Sequence, residues 1–261
     1  MSIHLLGSMK TAIRRIVDRR FGARSASNLE KFRKIAPEIS ADEAAVLDRF
    51  AQFTMTGIER RWALVQAMLY LNDRAIAGDI VECGVWRGGN MLTAKALCQH
   101  SLMRRNFYLF DTFRGMSRPT EVDIDRYGTP ASKWYEQSGK QAHNEWCYAG
   151  VEEVRENFRS NGLLDDSIIF VEGEVEDTLR DAANVPKEIA LLRLDTDFYE
   201  STKAELEVLY PRLVSGGILI IDDYGYWQGA RKATDEYFKD SRPLLIRIDY
   251  TARIMVKIAT R

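Results

Sequence analysis

The chain has little of what marks a secreted, membrane-spanning or nucleic-acid-binding protein. No apolar run approaches the ~20 residues needed to cross a bilayer. The N-terminus carries no continuous hydrophobic signal-peptide core, so a cytoplasmic protein is expected. Cysteine is scarce: Cys83, Cys98 and Cys147 are odd in number and lack C-x-x-C spacing, which supports neither a disulfide framework nor a zinc site. An excess of one charge is missing too. Lys and Arg number 37 against 38 Asp and Glu, a net charge of -1, so there is no global electrostatic case for nucleic acid as a partner. Internal repeats and low-complexity tracts are absent. What is present is 261 residues, 46% of them hydrophobic, enough to bury a full core.

Residues 1–53 are expected to form a helical, basic N-terminal region, and within it Ile13, Ile16, Val17 and Phe21 fall at helical spacing. Such a helix suits an anionic surface or a partner, but packing on the domain or on another subunit is the simpler reading, and a homo-oligomer is expected. From residue 54 to 261 the pattern alternates. The apolar runs "IVECGV", "FYLFDTF", "SIIFVEGE", "IALLRLDTD" and "GGILIIDD" are separated by helix-compatible stretches. Apolar strands between helices predict a doubly wound parallel sheet covered on both faces. The last two strands, "PLLIRIDY" and "RIMVKIAT", are separated only by Thr251 and Ala252, which permits only an antiparallel hairpin. This is the Rossmann-like α/β architecture of class I methyltransferases. Between about residues 114 and 150 the periodicity fails while Trp134, Tyr135, Trp146 and Tyr148 accumulate. A long aromatic-rich insertion reads as a lid over a site.

Chemistry concentrates at the strand ends. In "GDIVECGVWRGGN" a strand delivers Glu82, and Gly84, Gly88 and Gly89, with Trp86 between them, let the backbone turn close to a ligand. The turn matches neither G-x-G-x-x-G nor a P-loop. An acid in it disfavours phosphate and suits a cationic ligand such as S-adenosylmethionine. Asp111 ends the next strand, where a carboxylate can hold a ribose, and Gly173 and Glu174 close a third beside the adenine. Asp195, Asp222 and Asp223 end two later strands. Carboxylates gathered there repel one another unless protonated or neutralised, and all-oxygen ligands select a hard ion such as Mg2+. Such an ion would chelate the hydroxyls of a small molecule or glycan. The acceptor's proton would pass to Asp197, or to His143 of the insertion, with Asp195 itself a candidate base.

The segments "GDIVECGVWRGG", "LFDTFRGM" and "LRLDTDFYESTKAELEVLYPRLVSGGILIIDDYGYWQGARKATDEYF" together resemble the macrocin O-methyltransferase family, metal-dependent enzymes that methylate sugar hydroxyls of antibiotics. The resemblance spans about residues 54–240 and is most specific from Leu194 to Ala230. It implies S-adenosylmethionine as donor, Mg2+ on Asp195, Asp222 and Asp223, and donor contacts from Thr56 and Arg60 on a helix preceding the domain. Two other readings stay open at this point. One is a catechol-like acceptor, which chelates a metal in the same way. The other is an NAD-dependent sugar-modifying oxidoreductase, against which stands the missing dinucleotide fingerprint.

Overall fold

The computed structural model describes residues 29–30, 32–99, 101 and 103–259; the amphipathic stretch from Ile13 to Phe21 lies outside them. Helix α1 (Ala41–Arg49) starts at a capping box in which Ser40 Oγ accepts from the Glu43 amide at 3.2 Å and Glu43 Oε2 accepts from the Ser40 amide at 2.8 Å. Its Val46 and Leu47, with Phe50, enter one continuous core with Trp62, Leu64 and Met68 of helix α2 (Ile58–Asp73). Packing therefore runs unbroken across residue 53. Among the described residues no helix is long and apolar enough to cross a membrane.

The strands are β1 (Asp79–Cys83), β2 (Phe107–Asp111), β3 (Ile168–Glu172), β4 (Ile189–Leu194), β5 (Leu213–Ile221), β6 (Ile246–Arg247) and β7 (Arg253–Val256). They form one sheet in the order β3-β2-β1-β4-β5-β7-β6. The first five run parallel, and β7 inserts antiparallel between β5 and β6. Successive side chains point to opposite faces. Ile80, Leu191 and Ile220 therefore join the core beneath α2 and α3 (Gly89–Cys98), while Val81, Leu192 and Ile221 join a second core on the opposite face. Burial on both faces explains why β4 has no solvent-facing position.

The C-terminal hairpin is antiparallel, but its first strand is far shorter than the apolar run "PLLIRIDY". Only Ile246 and Arg247 pair with β7. Asp249 Oδ1 accepts from the amides of Thr251 and Ala252 at 2.9 and 2.8 Å, which folds the end of that run into a turn.

The insertion contains one short helix, α4 (Ser132–Gln137), after which the chain continues through α5 (Val151–Ser160) and α6 (Val175–Thr178). Buried carboxylates fix it to the domain. Asp123 Oδ2 accepts from the Thr120 amide and hydroxyl, and its Oδ1 accepts at 2.8 Å from the Tyr199 amide, the first residue of α7 (Tyr199–Val208). Asp125 pairs by a bridge with Trp227, just before α8 (Gln228–Tyr237). A third, small core of Ala131, Phe198, Trp227 and Ala230, backed by Trp134 and Trp146, fills the space beneath.

Candidate active site

A cavity of about 650 Å3 opens at the carboxyl ends of the parallel strands, where doubly wound sheets bind ligands. Gly84 turns the chain out of β1 at φ 80°, and a Cβ there would strike the Asp195 carbonyl oxygen. Only glycine lets the ends of β1 and β4 approach so closely. Asp111 braces this turn: Oδ2 accepts from the amides of Val85 at 2.8 Å and Trp86 at 3.1 Å, and Oδ1 accepts from Phe113 at 2.7 Å. Burial raises the Asp111 pKa, opposed by these amides. Gly84, Trp86, Asp111, Gly173 and Glu174 all line the cavity. Gly88 and Gly89 do not: Gly88 faces Phe158 and Val154 of α5, and Gly89 packs on the Phe53 backbone.

Four acids gather at the ends of β4 and β5. One carboxylate oxygen from each of Asp195, Asp197 and Asp223 lies within 4.8 Å of the other two. Asp197 sits at φ 71°, an uncommon conformation for a residue with a side chain, inside a tight turn closed by the Phe198 amide on the Thr196 carbonyl at 2.8 Å. Asp223 Oδ2 is buried with no hydrogen-bond partner among the described residues. Asp222 stands differently. Its Oδ1 accepts from Arg193 Nη2 and its Oδ2 from Arg60 Nη1. Burial and mutual repulsion push Asp195 and Asp223 well above the usual carboxylate range, with Arg193 and Arg60 respectively pulling the other way. Asp197 is pushed up to about 7 by burial and by the charges of Asp195 and Asp222, against hydrogen bonds with Asp223 and from Trp227.

Two expected residues lie elsewhere. Glu82 alternates to the α2/α3 face of β1, beneath the cavity, where its Oε1 accepts from Arg193 Nη1 at 2.6 Å and Asn90 Nδ2 at 3.1 Å. It meets a cation of the chain itself rather than the lining of the cavity. His143 packs on the Tyr148 ring, centroids 4.3 Å apart, and lines a separate cavity of about 520 Å3 with Tyr135 and Lys140. The turn that holds it, pinned by the Asn144 amide on the Arg114 carbonyl at 2.7 Å, lies beyond Gly115 from the acids. Thr56 and Arg60 do reach the cavity. Thr56 Oγ1 accepts from Asn90 and Arg193, and Arg60 ties Asp222 to Asp249.

The pattern reading passed over Arg193, Asn90, Asp123, Tyr226 and Trp227. Arg193 had a signal: a cation inside "LLRLD", a run otherwise apolar, must find buried partners. Trp134, Trp146, Tyr226 and Trp227 form an aromatic wall of the cavity, with Trp146 and Trp227 each about 6 Å from Phe198 and from one another.

Residues 11–256 match the model of the family described as Macrocin-O-methyltransferase (TylF), a longer span than the residues that carried the resemblance. Among characterised relatives, an 8-demethyl-8-(2,3-dimethoxy-alpha-L-rhamnosyl)-tetracenomycin-C 4'-O-methyltransferase of Streptomyces olivaceus is 37% identical over 185 residues, 70% of this chain and 67% of that one. A demethyldecarbamoylnovobiocin O-methyltransferase of Streptomyces niveus is 36% identical over the same shares. The solved structure of the O-methyltransferase NovP superposes with a TM-score of 0.68 at 28% identity, covering 99% of both chains. This sets aside the nicotinamide-dependent alternative. A Gly84 turn braced by Asp111, a strand-end acid cluster and a match over nearly the whole length agree: the chain belongs to the Macrocin-O-methyltransferase (TylF) family and is an S-adenosylmethionine-dependent O-methyltransferase.

Proposed function

We propose that the enzyme transfers the sulfonium methyl group of S-adenosylmethionine to a sugar hydroxyl of a glycosylated natural product or glycan in the cytoplasm, with Mg2+ at the acid cluster. The observation that carries this reading is the convergence of Asp195, Asp197, Asp222 and Asp223 in a cavity that Trp134, Trp146, Tyr226 and Trp227 also line. Carboxylates suit hydroxyl groups, and aromatic faces suit the apolar C–H face of a sugar ring. The first-described relative carries a rhamnosyl group in the name of its substrate, which supports the same acceptor class here.

The donor set fits the metal. Asp195, Asp197 and Asp223, half-buried and close enough to share one ion, with the unpartnered Asp223 Oδ2 among them, leave negative charge that the chain's own cations do not fully offset. Asp195, Asp222 and Asp223 would hold it; each oxygen of Asp222 has a second lone pair and can ligate while still accepting from an arginine. When bound, Mg2+ supplies charge neutralisation and lowers the pKa of an adjacent hydroxyl. Asp197, held at its strained φ beside the ligands, accepts the acceptor's proton. Gly84, Asp111, Gly173 and Glu174 form the donor's side of the cavity, and Trp134 and Trp146 exclude water from the acceptor's side and fix the ring for in-line attack.

Calorimetric titration of S-adenosylmethionine into metal-free protein, with NAD as control, followed by methyl-transfer assays with and without Mg2+ on a panel of rhamnosides and catechols, tests the reading. Micromolar donor binding and Mg2+-dependent methylation of a glycoside are expected. Methylation of catechols alone would sink the sugar acceptor, and full activity in chelator would sink the metal.

A further inference from the structure

Arg193 lies inside β4, and its side chain is 3% exposed. Its register partners are Glu82 on β1 and Ile220 on β5, so it looks toward the face covered by α2 and α3. A lone cation there would be costly. It is not alone. Nη1 donates to Glu82 Oε1 and to Asp195 Oδ2, each at 2.6 Å, and Nη2 donates to Asp222 Oδ1 and, at 3.3 Å, to Thr56 Oγ1. One planar guanidinium thus joins carboxylates from three adjacent strand ends, β1, β4 and β5. Two of these, Asp195 and Asp222, belong to the expected metal set.

We propose that Arg193 is a positioning residue: it fixes the spacing of Asp195 and Asp222 from the face beneath the cavity, leaving each carboxylate further lone pairs, and thereby raises the affinity of the cluster for a divalent cation. The inference rests on the metal reading above. The fork geometry is what qualifies arginine for this task, because its two Nη groups reach different carboxylates at fixed separation, whereas a lysine ammonium is a single point charge on a flexible stem. Glu82 completes the arrangement. It accepts from both Arg193 and Asn90 and so prevents the guanidinium from tilting toward either aspartate.

The sign of the effect separates this role from simple charge neutralisation. Removing a cation from beside a metal site leaves the site more negative, and Coulomb attraction alone would then tighten Mg2+ binding. Loss of a positioning group does the opposite, and groups that orient metal ligands typically change metal affinity by roughly 10–100-fold.

The experiment is calorimetric titration of Mg2+ into the full metal-free chain as wild type, Arg193→Lys, Arg193→Met and the double variant Glu82→Gln/Arg193→Met. Circular dichroism and metal-free S-adenosylmethionine binding report on the fold. The double variant removes the buried partner that Arg193→Met would strand, and so keeps the test open if the single variant does not fold. Mg2+ affinity at least about tenfold weaker in Arg193→Lys and in the double variant, with donor binding retained, is expected. Unchanged or tighter Mg2+ binding in those folded variants overturns the positioning role while leaving the metal reading standing. Failure of the wild type to bind Mg2+ overturns both.

Discussion

Replacement of Asp197 by Asn should make the metal-free protein more stable while removing its activity. Asp197 sits among Asp195, Asp222 and Asp223; burial and the charges of Asp195 and Asp222 push its pKa up to about 7, against a hydrogen bond with Asp223. The unfolded chain titrates near 3.9. The folded state therefore holds the proton more tightly, and stability falls as pH rises from about 4 through about 7 and then levels. A shift of about 3 units at 1.36 kcal/mol each gives an upper value of about 4 kcal/mol. Asp197 is only half-buried against the cavity, where water screens part of this, so about 2–4 kcal/mol is the reasonable range. For a chain of this size that corresponds to a Tm difference of roughly 5–15 °C. Thermal melts of wild type and Asp197→Asn in chelator at pH 5, 6, 7 and 8 should show the variant's advantage widening with pH and saturating above 7. Methyl transfer should fall by roughly 10²–10⁴-fold with donor affinity unchanged, as loss of a general base requires. An advantage that is flat or shrinking between pH 5 and 8 would refute the assignment of Asp197 to the repelling cluster.

Mg2+ and protons compete for the same carboxylates, so the rise in Tm on adding Mg2+ should grow between pH 5 and 8 and be reversed by EDTA; paired melts at each pH check it. Trp146→Ala removes one face of the aromatic wall and should raise the acceptor KM roughly tenfold while leaving the donor Kd in place, a split that steady-state kinetics with calorimetry resolves. Asp123→Ala deletes the acceptor that joins the insertion to the first amide of α7. It should cost about 1–3 kcal/mol by chemical denaturation and loosen the turn that holds Asp197, seen as faster hydrogen exchange at Tyr199 and a lower kcat.

The sheet was legible because its signal is periodic. Five apolar runs separated by helical stretches can hardly be anything but a doubly wound parallel sheet, and the two residues between the last runs dictated an antiparallel return. The strand ends carried the acids for the same reason: Asp111, Asp195, Asp222 and Asp223 follow apolar runs directly, and the fold delivers all of them to one edge. What periodicity does not carry is partnership. Glu82 also ends a run, but its parity along β1 turns it away from the lining and onto the face that Arg193 occupies on the adjacent strand, in a segment more than a hundred positions downstream. Recognising that pair needs the knowledge that β1 and β4 are neighbours, which no local pattern states. His143 lies away from the acid cluster for a related reason: an aperiodic segment is shaped by individual contacts, here the Tyr148 ring and the Arg114 carbonyl, and its side chains can be assigned to a region but not to a direction. The buried charges follow one rule that could have been applied to the sequence. Glu82 and Arg193 are opposite charges in two strands whose other buried positions are apolar, each too costly to bury alone, and so each is evidence for the other. That rule turns the acid at the end of "IVEC" from a ligand for the donor into a counter-ion for the arginine that holds the cluster together.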